Sequence, residues 1–311
     1  MQQVTEKIIE QIEQVVIGKH QQVKLALACI LAKGHLLIED LPGMGKTTLA
    51  HVLASTLGLS YQRVQFTSDL LPADVIGVSI FNQNEHSFTF HQGPLFNQVV
   101  LADEINRASP KTQSALLEAM EEHRVSVDGQ TYSLPDPFFV IATQNPMFHA
   151  GTYPLPESQL DRFMMKISLG FPDRVAERKI LQNDSNNAMF ERISACIDTD
   201  TLKSMQQQSS QVFVSDSLLD YVIALCEKSR LGELQVNPLS PRAGKAIVAA
   251  AKSWAFIHQR DHVQPDDVKS VFSAVCEHRL LGSRHVGAVD YQHAGLSSKI
   301  LEQVVSHDPF N

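Results

Sequence analysis

The sequence has little of what defines several protein classes. Its four cysteines stand at positions 29, 196, 226 and 276, too far apart for a Cys-x-x-Cys pair. This spacing argues against a zinc knuckle or a redox dithiol, and single cysteines within apolar runs are typical of core residues in a reducing compartment. No apolar run approaches the ~20 residues that a membrane-spanning helix needs. The N-terminus lacks the basic-then-apolar pattern of a signal peptide, so we expect a cytoplasmic protein.

Basic residues are also scarce relative to acidic ones. Lys and Arg total 26 against 34 Asp and Glu, which gives a formal charge of −8. An acidic balance does not favour broad binding to a phosphate backbone, although a local basic stripe could still exist. Nucleic acid is therefore not expected as a partner.

Among the 13 histidines, His258 and His262 are four residues apart but have no third ligand, which favours surface histidines over a metal site.

The two halves of the chain differ in pattern. Up to about residue 170, short β-type runs alternate with helical patterns, and they occupy residues 35–39, 61–66, 99–104, 138–145 and 164–170. Strands separated by helices predict βαβ units and a parallel sheet covered on both faces. From Pro172 onward helical periodicity dominates. We predict an α/β domain over residues 1–171 and a helical domain over residues 172–311, with a polar join at 182–192.

Two hairpins are predicted as insertions in the α/β half. The Asp128-Gly129 pair favours a tight turn between the strand-like runs on either side of it. A second hairpin is expected around residues 79–90. Neither hairpin has the pattern of a core element, and both lie beside the motifs described next.

The strongest motif joins the first predicted strand to a helix. A turn of sequence Pro42-Gly43-Met44-Gly45 leads into a helix that begins Lys46-Thr47-Thr48. The two glycines let backbone N–H groups surround phosphate oxygens, and the helix N-terminus adds its positive dipole end. Lys46 would neutralise the β- and γ-phosphates, and the Thr47 hydroxyl would ligate Mg²⁺. The context predicts a P-loop, although Asp40 stands where the general pattern has its first glycine.

A second motif places two carboxylates at the end of a predicted strand. The apolar run Val99–Ala102 delivers Asp103 and Glu104 at its carboxyl end, where ligands bind in open α/β sheets. Asp103 would hold Mg²⁺ through water, and Glu104 could polarise the attacking water. Taken alone, the pair could equally cap a neighbouring helix. Next to the P-loop it predicts nucleotide hydrolysis, and the lack of an NKxD-type motif disfavours GTP.

A third strand ends in Gln144-Asn145. An amide at the tip of a strand adjoining Asp103 could hydrogen-bond the γ-phosphate and the lytic water. Taken alone, Asn145 before Pro146 is better explained as a turn-forming residue.

Five segments together resemble the MoxR family of AAA+ ATPases: GMGKTTLA, LADEINRASPKTQSALLEAMEE, IATQNP, GTYPLPESQLDRF and NPLSPRA. Their order and spacing match across nearly the whole chain. The resemblance implies a P-loop NTPase core with a five-stranded parallel sheet, a small all-helical lid and a homo-hexameric ring. It also implies Mg²⁺-dependent hydrolysis of ATP to ADP, and a chaperone-like action on other proteins, often with partners that carry a von Willebrand factor A domain.

The resemblance assigns roles to three polar residues. Asn145 would be the first sensor, Arg162 the arginine finger and Arg242 the second sensor, while Arg107 remains a rival for the finger. Without the resemblance, a salt bridge on a solvated helix end is the commoner role for an arginine such as Arg162. Arg242 follows Ser240-Pro241 at a helix start, where the dipole disfavours a cation unless an anion is near, and its side chain could simply extend into solvent.

The resemblance also assigns the base-binding and substrate-facing segments. The stretch around Gly18 is similar to the family's adenine-side loop, with Val16 and Ile17 packing on the base. The two predicted hairpins would correspond to insertions that face the pore or the substrate.

Three functions remain to be distinguished at this stage. The first is an ATP-driven remodelling enzyme that works as a ring, which Glu104 and Asn145 favour. The second is a nucleotide-gated assembly factor with little turnover. The third, a DNA-dependent motor, is disfavoured by the acidic balance and would be tested by an ATPase assay with and without DNA.

Overall fold

The computed structural model describes residues 2–84, 86–145, 152–182, 193–232, 234, 236–281 and 295–305. The first part of the described chain alternates helices and strands: α1 (Gln2–Glu13), α2 (His20–Leu31), β1 (Leu36–Glu39), α3 (Lys46–Thr56), β2 (Tyr61–Gln65), α4 (Pro72–Ile76), β3 (Gly77–Asn82), β4 (Ser87–Gln92), β5 (Val99–Asp103), α5 (Pro110–Glu122), β6 (Arg124–Val127), β7 (Gln130–Ser133), β8 (Phe139–Gln144), α6 (Glu157–Leu160) and β9 (Met165–Ile167). The second part is helical: α7 (Arg174–Gln182), α8 (Thr199–Ser210), α9 (Asp216–Arg230), α10 (Pro241–Ile257), α11 (Pro265–Leu281) and α12 (Leu296–Val305). The predicted polar join lies, beyond residue 182, outside the described residues.

Five strands form one parallel sheet in the order β2-β5-β8-β1-β9. The five β-type runs of the sequence supply these strands, so the predicted parallel sheet is confirmed. The strands end on a common edge, here called the carboxyl edge, which carries the ends of β1, β5 and β8. The opposite edge, where the strands begin, is called the amino edge.

Both faces of the sheet are covered, which explains the continuous apolar pattern of its central strands. Successive side chains of a strand point to opposite faces, and the buried residues divide accordingly. Leu36, Ile38 and Leu101 join a core that extends through α1, α2, α3 and the helical half. Leu37 and Val100 join a second core that contains α5 and the inserted segments. The sheet is thereby fixed between two apolar layers.

The two predicted hairpins are present. The β6–β7 hairpin turns at Asp128 and Gly129, both with positive φ, as a tight turn of this type requires. The β3–β4 hairpin spans residues 77–92. The two contact each other through the stacked rings of Phe90 and Tyr132, whose centroids are 4.3 Å apart. Most side chains of both hairpins are exposed or half-buried, in agreement with their prediction as insertions.

The helical half packs around α10, which contacts α2, α8, α9 and α11. Its start follows the predicted cap, because the Ser240 hydroxyl accepts a hydrogen bond from the Ala243 N–H at 3.2 Å. Helix α11 contacts α10, α12 and strand β9, so it joins the helical half to the sheet. Within the described part of the chain, no helix is long and apolar enough to span a bilayer. The boundary between residues 171 and 172 stays a prediction.

Candidate functional site

The turn between β1 and α3 forms an open cradle at the carboxyl edge. Gly43 and Gly45 have φ angles of 82° and 87°, a region that glycine adopts without strain. A Cβ added at either position would meet no atom within 4 Å. No side chain caps the N-terminus of α3, so its first N–H groups stay available to an external acceptor. These features fit an anion such as phosphate.

Lys46 lies at the centre of the carboxyl edge and is only 7% exposed. Its Nζ donates to the backbone oxygen of Asp40 at 2.5 Å and to Oδ1 of Asn145 at 2.8 Å. Burial lowers the pKa of Lys46, while the carboxylates of Asp40, Asp103 and Glu104 act in the opposite direction. The ammonium therefore lies among carboxylates but is partly desolvated, and a bound anion would offset the free-energy cost of that desolvation.

Asp40, which replaces the first glycine of the general motif, has a structural role that the sequence does not reveal. Its Oδ2 accepts hydrogen bonds from the N–H groups of Leu169 and Gly170 at 2.5 and 2.9 Å, and from the Ser168 hydroxyl at 3.1 Å. A glycine could not make these contacts. The carboxylate thus fixes the entrance of the P-loop to the segment that follows β9.

The carboxylate of Asp103 is held on both sides. Its Oδ1 accepts from the Thr143 hydroxyl at 2.5 Å, and its Oδ2 accepts from Nε and Nη2 of Arg63 at 3.0 and 2.6 Å. Thr143 also accepts from the Glu104 N–H at 2.9 Å. Arg63 and Thr143 were not predicted, because the contacts arise only when β2 and β8 flank β5. Thr143 precedes the Gln144-Asn145 signal and could have been included with it.

Glu104 has a left-handed backbone conformation, with φ 57° and ψ 48°. For a residue with a side chain this costs about 1–2 kcal/mol, so the surroundings must enforce it. Its Oε1 accepts from Nδ2 of Asn145 at 2.8 Å, and its Oε2 accepts from Nε2 of Gln65 at 3.1 Å. Arg107 pairs with Oε2 at 3.1 Å. The carboxylate is therefore directed along the carboxyl edge.

Asn145 connects the two motifs. Its amide accepts from Lys46 and donates to Glu104, so three of the predicted residues form one contact chain. The hydroxyl of Thr47 has no hydrogen-bond partner in the described part of the chain, and Asp103 lies within the electrostatic reach of Lys46. A hydroxyl and a carboxylate are oxygen ligands of the kind Mg²⁺ prefers. The donor set fits a Mg²⁺–nucleotide complex.

The segment around Gly18 packs against α7. Gly18 has φ 74°, and an added Cβ would stand 2.7 Å from Cβ of Ala176 in α7, so no larger residue fits there. Ile17 is half-buried and lines a cavity of about 320 Å³ with Lys179 and other residues of α1 and α7. Val16 packs into the core instead and is 6% exposed. Of the two residues predicted to contact a base, Val16 is therefore part of the core, and the role of Ile17 stays a prediction.

Arg162 and Arg242 lie away from the P-loop, at the amino edge. Arg162 precedes β9, and its Nη2 pairs with Oε2 of Glu121 at 3.1 Å. Arg242 pairs with Oε1 of the same carboxylate at 2.9 Å and lies 3.8 Å from Asp161. These two carboxylates supply the anions that a cation at the start of α10 requires. The structure thus brings the two predicted arginines together but does not bring them to Lys46.

The separation of the two edges follows from the fold. Helix α5 begins at Pro110, close in sequence to Glu104. It reaches Glu121 eleven residues after Pro110, which corresponds to ~17 Å of helix. A cavity of about 360 Å³ at the amino edge is lined by Gly34, His35 and the arginine cluster, defined as Arg162, Arg242 and Arg279 with Glu121 and Asp161. The rival finger, Arg107, remains at the carboxyl edge against Glu104.

Arg279 is a member of the arginine cluster that was not predicted. Its side chain is 6% exposed, and its Nε donates to Oδ1 of Asp161 at 2.7 Å. The sequence contains a signal for it, because Phe272, Val275 and Arg279 share one face of α11 at helical spacing. A charged residue at an apolar position of an amphipathic helix indicates a buried ion pair.

The chain is similar to ATPases of known sequence and structure. Residues 35–165 match the ATPase family associated with various cellular activities (AAA), and residues 233–292 match the AAA lid domain. "Uncharacterized protein YeaC" of Bacillus subtilis is 45% identical over 275 residues, which cover 88% of this chain and 86% of that protein. Chaperone MoxR1 of Mycobacterium tuberculosis is 40% identical over 285 residues, covering 89% and 75%.

The overall fold is shared with a crystal structure of a candidate ATPase from Cytophaga hutchinsonii. The two sequences are 36% identical, the alignment covers 98% of this chain and 94% of that one, and the TM-score is 0.85. The likeness extends over the sheet and the helical half together.

Proposed function

Because the chain belongs to the MoxR family of AAA+ ATPases, we propose that it binds ATP with Mg²⁺ at the carboxyl edge and hydrolyses it to ADP and phosphate. The contact chain from Lys46 through Asn145 to Glu104 carries this proposal. One amide holds a cation suited to phosphate and a carboxylate suited to proton transfer at a fixed separation. A module that only binds phosphate has no need of the second group.

Each residue of the cradle has a defined task in this reaction. Gly43 and Gly45 present backbone N–H groups, and Lys46 donates to the β- and γ-phosphate oxygens. Pro42, Met44 and Thr48 complete the turn and the first turn of α3. Glu104 orients the attacking water and accepts its proton. Asn145 keeps Glu104 directed at the water while its own amide contacts the γ-phosphate.

Thr47 and Asp103 would hold Mg²⁺ at this site. When bound, the ion would neutralise the negative charge that develops on the phosphate oxygens during hydrolysis. Thr143 and Arg63 hold the Asp103 carboxylate in place from opposite sides. On the other side of the cradle, Ile17 and Gly18 would contact the adenine base.

The position of the arginine cluster supports a ring in which subunits complete one another's sites. Arg162 and Arg242 lie at the amino edge, about one α5 length from Glu104 of their own chain. A head-to-tail ring places this edge beside the carboxyl edge of the next subunit. Arg162 would then be the finger that stabilises transition-state charge in the neighbouring site, and Arg242 would act there with it. A hexamer is the arrangement that the family implies.

Mixing two inactive variants tests this arrangement. Arg162→Ala subunits keep their Lys46 but supply no finger, whereas Lys46→Ala subunits supply a finger but do not bind ATP. Each variant alone should be nearly inactive, because a finger contributes ~10³–10⁵ in rate in other NTPases. In a one-to-one mixture, roughly a quarter of the interfaces pair a complete cradle with a complete finger. ATPase activity should therefore reappear.

The control for the mixture is Arg124→Ala, since Arg124 is an exposed arginine of β6 that pairs with Glu122 at the end of α5. It should hydrolyse ATP like the wild type. Co-assembly is checked by sedimentation with a non-hydrolysable ATP analogue. A mixture that co-assembles and stays inactive would show that Arg162 acts within its own chain or only structurally, and Arg107 would be mixed next.

We further propose that the ring remodels or matures a partner protein, such as one with a von Willebrand factor A domain. The β3–β4 hairpin supports this, because it exposes Ile80, Phe81 and Phe88 at 51%, 46% and 73%. Exposed apolar side chains on an inserted hairpin fit contact with another protein. The same hairpin would suit an assembly factor with little turnover, and the ATPase rate of the assembled ring decides between the two.

A further inference from the structure

The backbone on both sides of Arg162 is held by one side chain of α11. Besides Asp161 Oδ1, Arg279 donates through Nη2 to the backbone oxygens of Asp161 at 3.1 Å and Phe163 at 2.9 Å, and through Nη1 to that of Met164 at 3.1 Å. The acceptors belong to the residue before Arg162 and to the two residues after it. Among the described residues, no hydrogen bond joins Arg162 to Arg279, and the Arg162 guanidinium extends to Glu121.

Burying the Arg279 guanidinium in these contacts costs desolvation free energy, which a role confined to α11 would not require. A buried guanidinium must be paired and fully hydrogen-bonded to be tolerated. Here Nη1 also donates to the Val275 oxygen within α11, but the other four acceptors lie in the segment that precedes β9. The neighbouring His278 is also buried, and its Nε2 lies 3.1 Å from the same Phe163 oxygen. Two adjacent polar residues of α11 thus contact three residues of the segment that precedes β9.

We propose that Arg279 is the positioning residue through which the helical half places Arg162 for the neighbouring site. The inference rests on the proposed action of Arg162 on the next subunit. Arg242, the second arginine of the cluster, lies on α10, which packs against α11. A displacement of the helical half therefore moves the backbone of Arg162 and the side chain of Arg242 together. The position of the helical half in one subunit thereby sets the rate of ATP hydrolysis in the next subunit.

The planar fork of the guanidinium is what allows this. It presents donors in several fixed directions, whereas a lysine ammonium is a point charge on a flexible stem. Arg279→Lys keeps the charge opposite Asp161 but cannot reach the carbonyls on both sides of Arg162. A misplacement of about 1 Å of a catalytic group costs ~10²-fold, so we expect kcat for ATP to fall by about 10- to 100-fold. The KM for ATP should change little, because the variant's own cradle is intact.

Mixing separates this role from a general loss of structure. Arg279→Lys subunits retain a complete cradle, so one-to-one mixing with Lys46→Ala subunits should restore activity to roughly a quarter of the wild-type value. The matched control is Arg260→Lys, since Arg260 pairs with the buried Asp267 in the same helical half and, among the described residues, has no hydrogen bond to the segment around Arg162. It should lower the melting temperature without the selective loss of kcat.

Three results would overturn the proposal. The first is a normal kcat in homogeneous Arg279→Lys rings. The second is an Arg279→Lys variant that is inactive, co-assembles with Lys46→Ala and gains no ATPase activity on mixing, although Arg162→Ala does gain activity in the same experiment. If Arg162→Ala itself is not restored, the proposed ring mechanism fails first, and this inference fails with it. Should Arg279→Lys not fold, Asp161→Asn weakens the same contact from the other side and should show the same loss and the same restoration.

Discussion

The two edges of the sheet show opposite arrangements of charge. At the carboxyl edge one lysine lies among Asp40, Asp103 and Glu104, and burial lowers its pKa. At the amino edge the arginines of the cluster share the carboxylates of Glu121 and Asp161. The first edge has a phosphate cradle whose arginines, Arg63 and Arg107, are paired with its own carboxylates. The second edge holds a cluster of arginines that lies outside the cradle of its own chain.

In the proposed ring, each chain would carry two halves of different active sites. Within one chain these two groups of residues are separated by about the length of α5, so the proposal requires them to meet across a subunit interface. The comparison also indicates how idle arginines are tolerated. The guanidinium groups of Arg162 and Arg242 are paired with Glu121 in the isolated chain, which avoids leaving cations unpaired at a helix start. The predictions below perturb one edge at a time.

The largest effect is expected at the carboxyl edge from Lys46→Ala. Charge-assisted hydrogen bonds contribute about 1.5–3 kcal/mol each, so losing those to the β- and γ-phosphates should weaken ATP binding by at least ~100-fold. Calorimetric titration with ATP measures this. Lys203→Ala removes an exposed lysine that pairs with Asp136 and is the matched control. Near wild-type affinity in Lys46→Ala would remove the P-loop assignment.

A narrower effect at the same edge, on hydrolysis but not on ATP binding, is expected from Glu104→Gln. The amide cannot accept the proton of the attacking water, so hydrolysis should slow by ~10²–10⁴-fold, while ATP affinity stays close to that of the wild type. Single-turnover hydrolysis and nucleotide titration separate the two quantities. The control is Glu122→Gln, since Glu122 is exposed and pairs with Arg124. Unchanged turnover in Glu104→Gln would place the base elsewhere. The ATP-loaded variant would also be suited to capturing bound partner proteins.

The sequence was sufficient to predict the elements that depend on short-range patterns. The five parallel strands, both hairpins and the cap at Ser240 follow from local periodicity and turn chemistry. Lys46, Glu104 and Asn145 could be predicted to meet, because the ends of parallel strands share one edge of the sheet. The contact between them then follows from strand order.

The contacts that were missed join residues far apart in sequence. Arg63 reaches Asp103 only because β2 is the neighbour of β5, and Asp40 reaches Leu169 and Gly170 only because β9 lies beside β1. Arg279 meets the segment around Arg162 across more than 100 residues, with sequence separations of 115 to 118. No local pattern encodes which carboxylate or carbonyl will face a given arginine, since that is decided by the packing of α11 on the sheet.

The smallest effect is expected at the amino edge and concerns His35. Burial lowers the pKa of His35 to about 4, and the neutral ring accepts from the Val140 N–H and donates to the Met120 oxygen. In the unfolded chain this histidine has its ordinary pKa of about 6.5, so the unfolded state binds the proton more tightly than the folded state. The stability that neutral His35 contributes is therefore complete above pH 6.5 and is lost as the pH falls towards 4. Between pH 7.5 and 5.5 the loss should be about 1.4 kcal/mol. We expect His35→Gln to be less stable at neutral pH but to show a flatter decline over that range in urea unfolding, without becoming pH-independent, since burial also lowers the pKa of His278. Between pH 7.5 and 9 the slopes of the two proteins should coincide, and equal slopes below pH 6.5 would contradict the assignment.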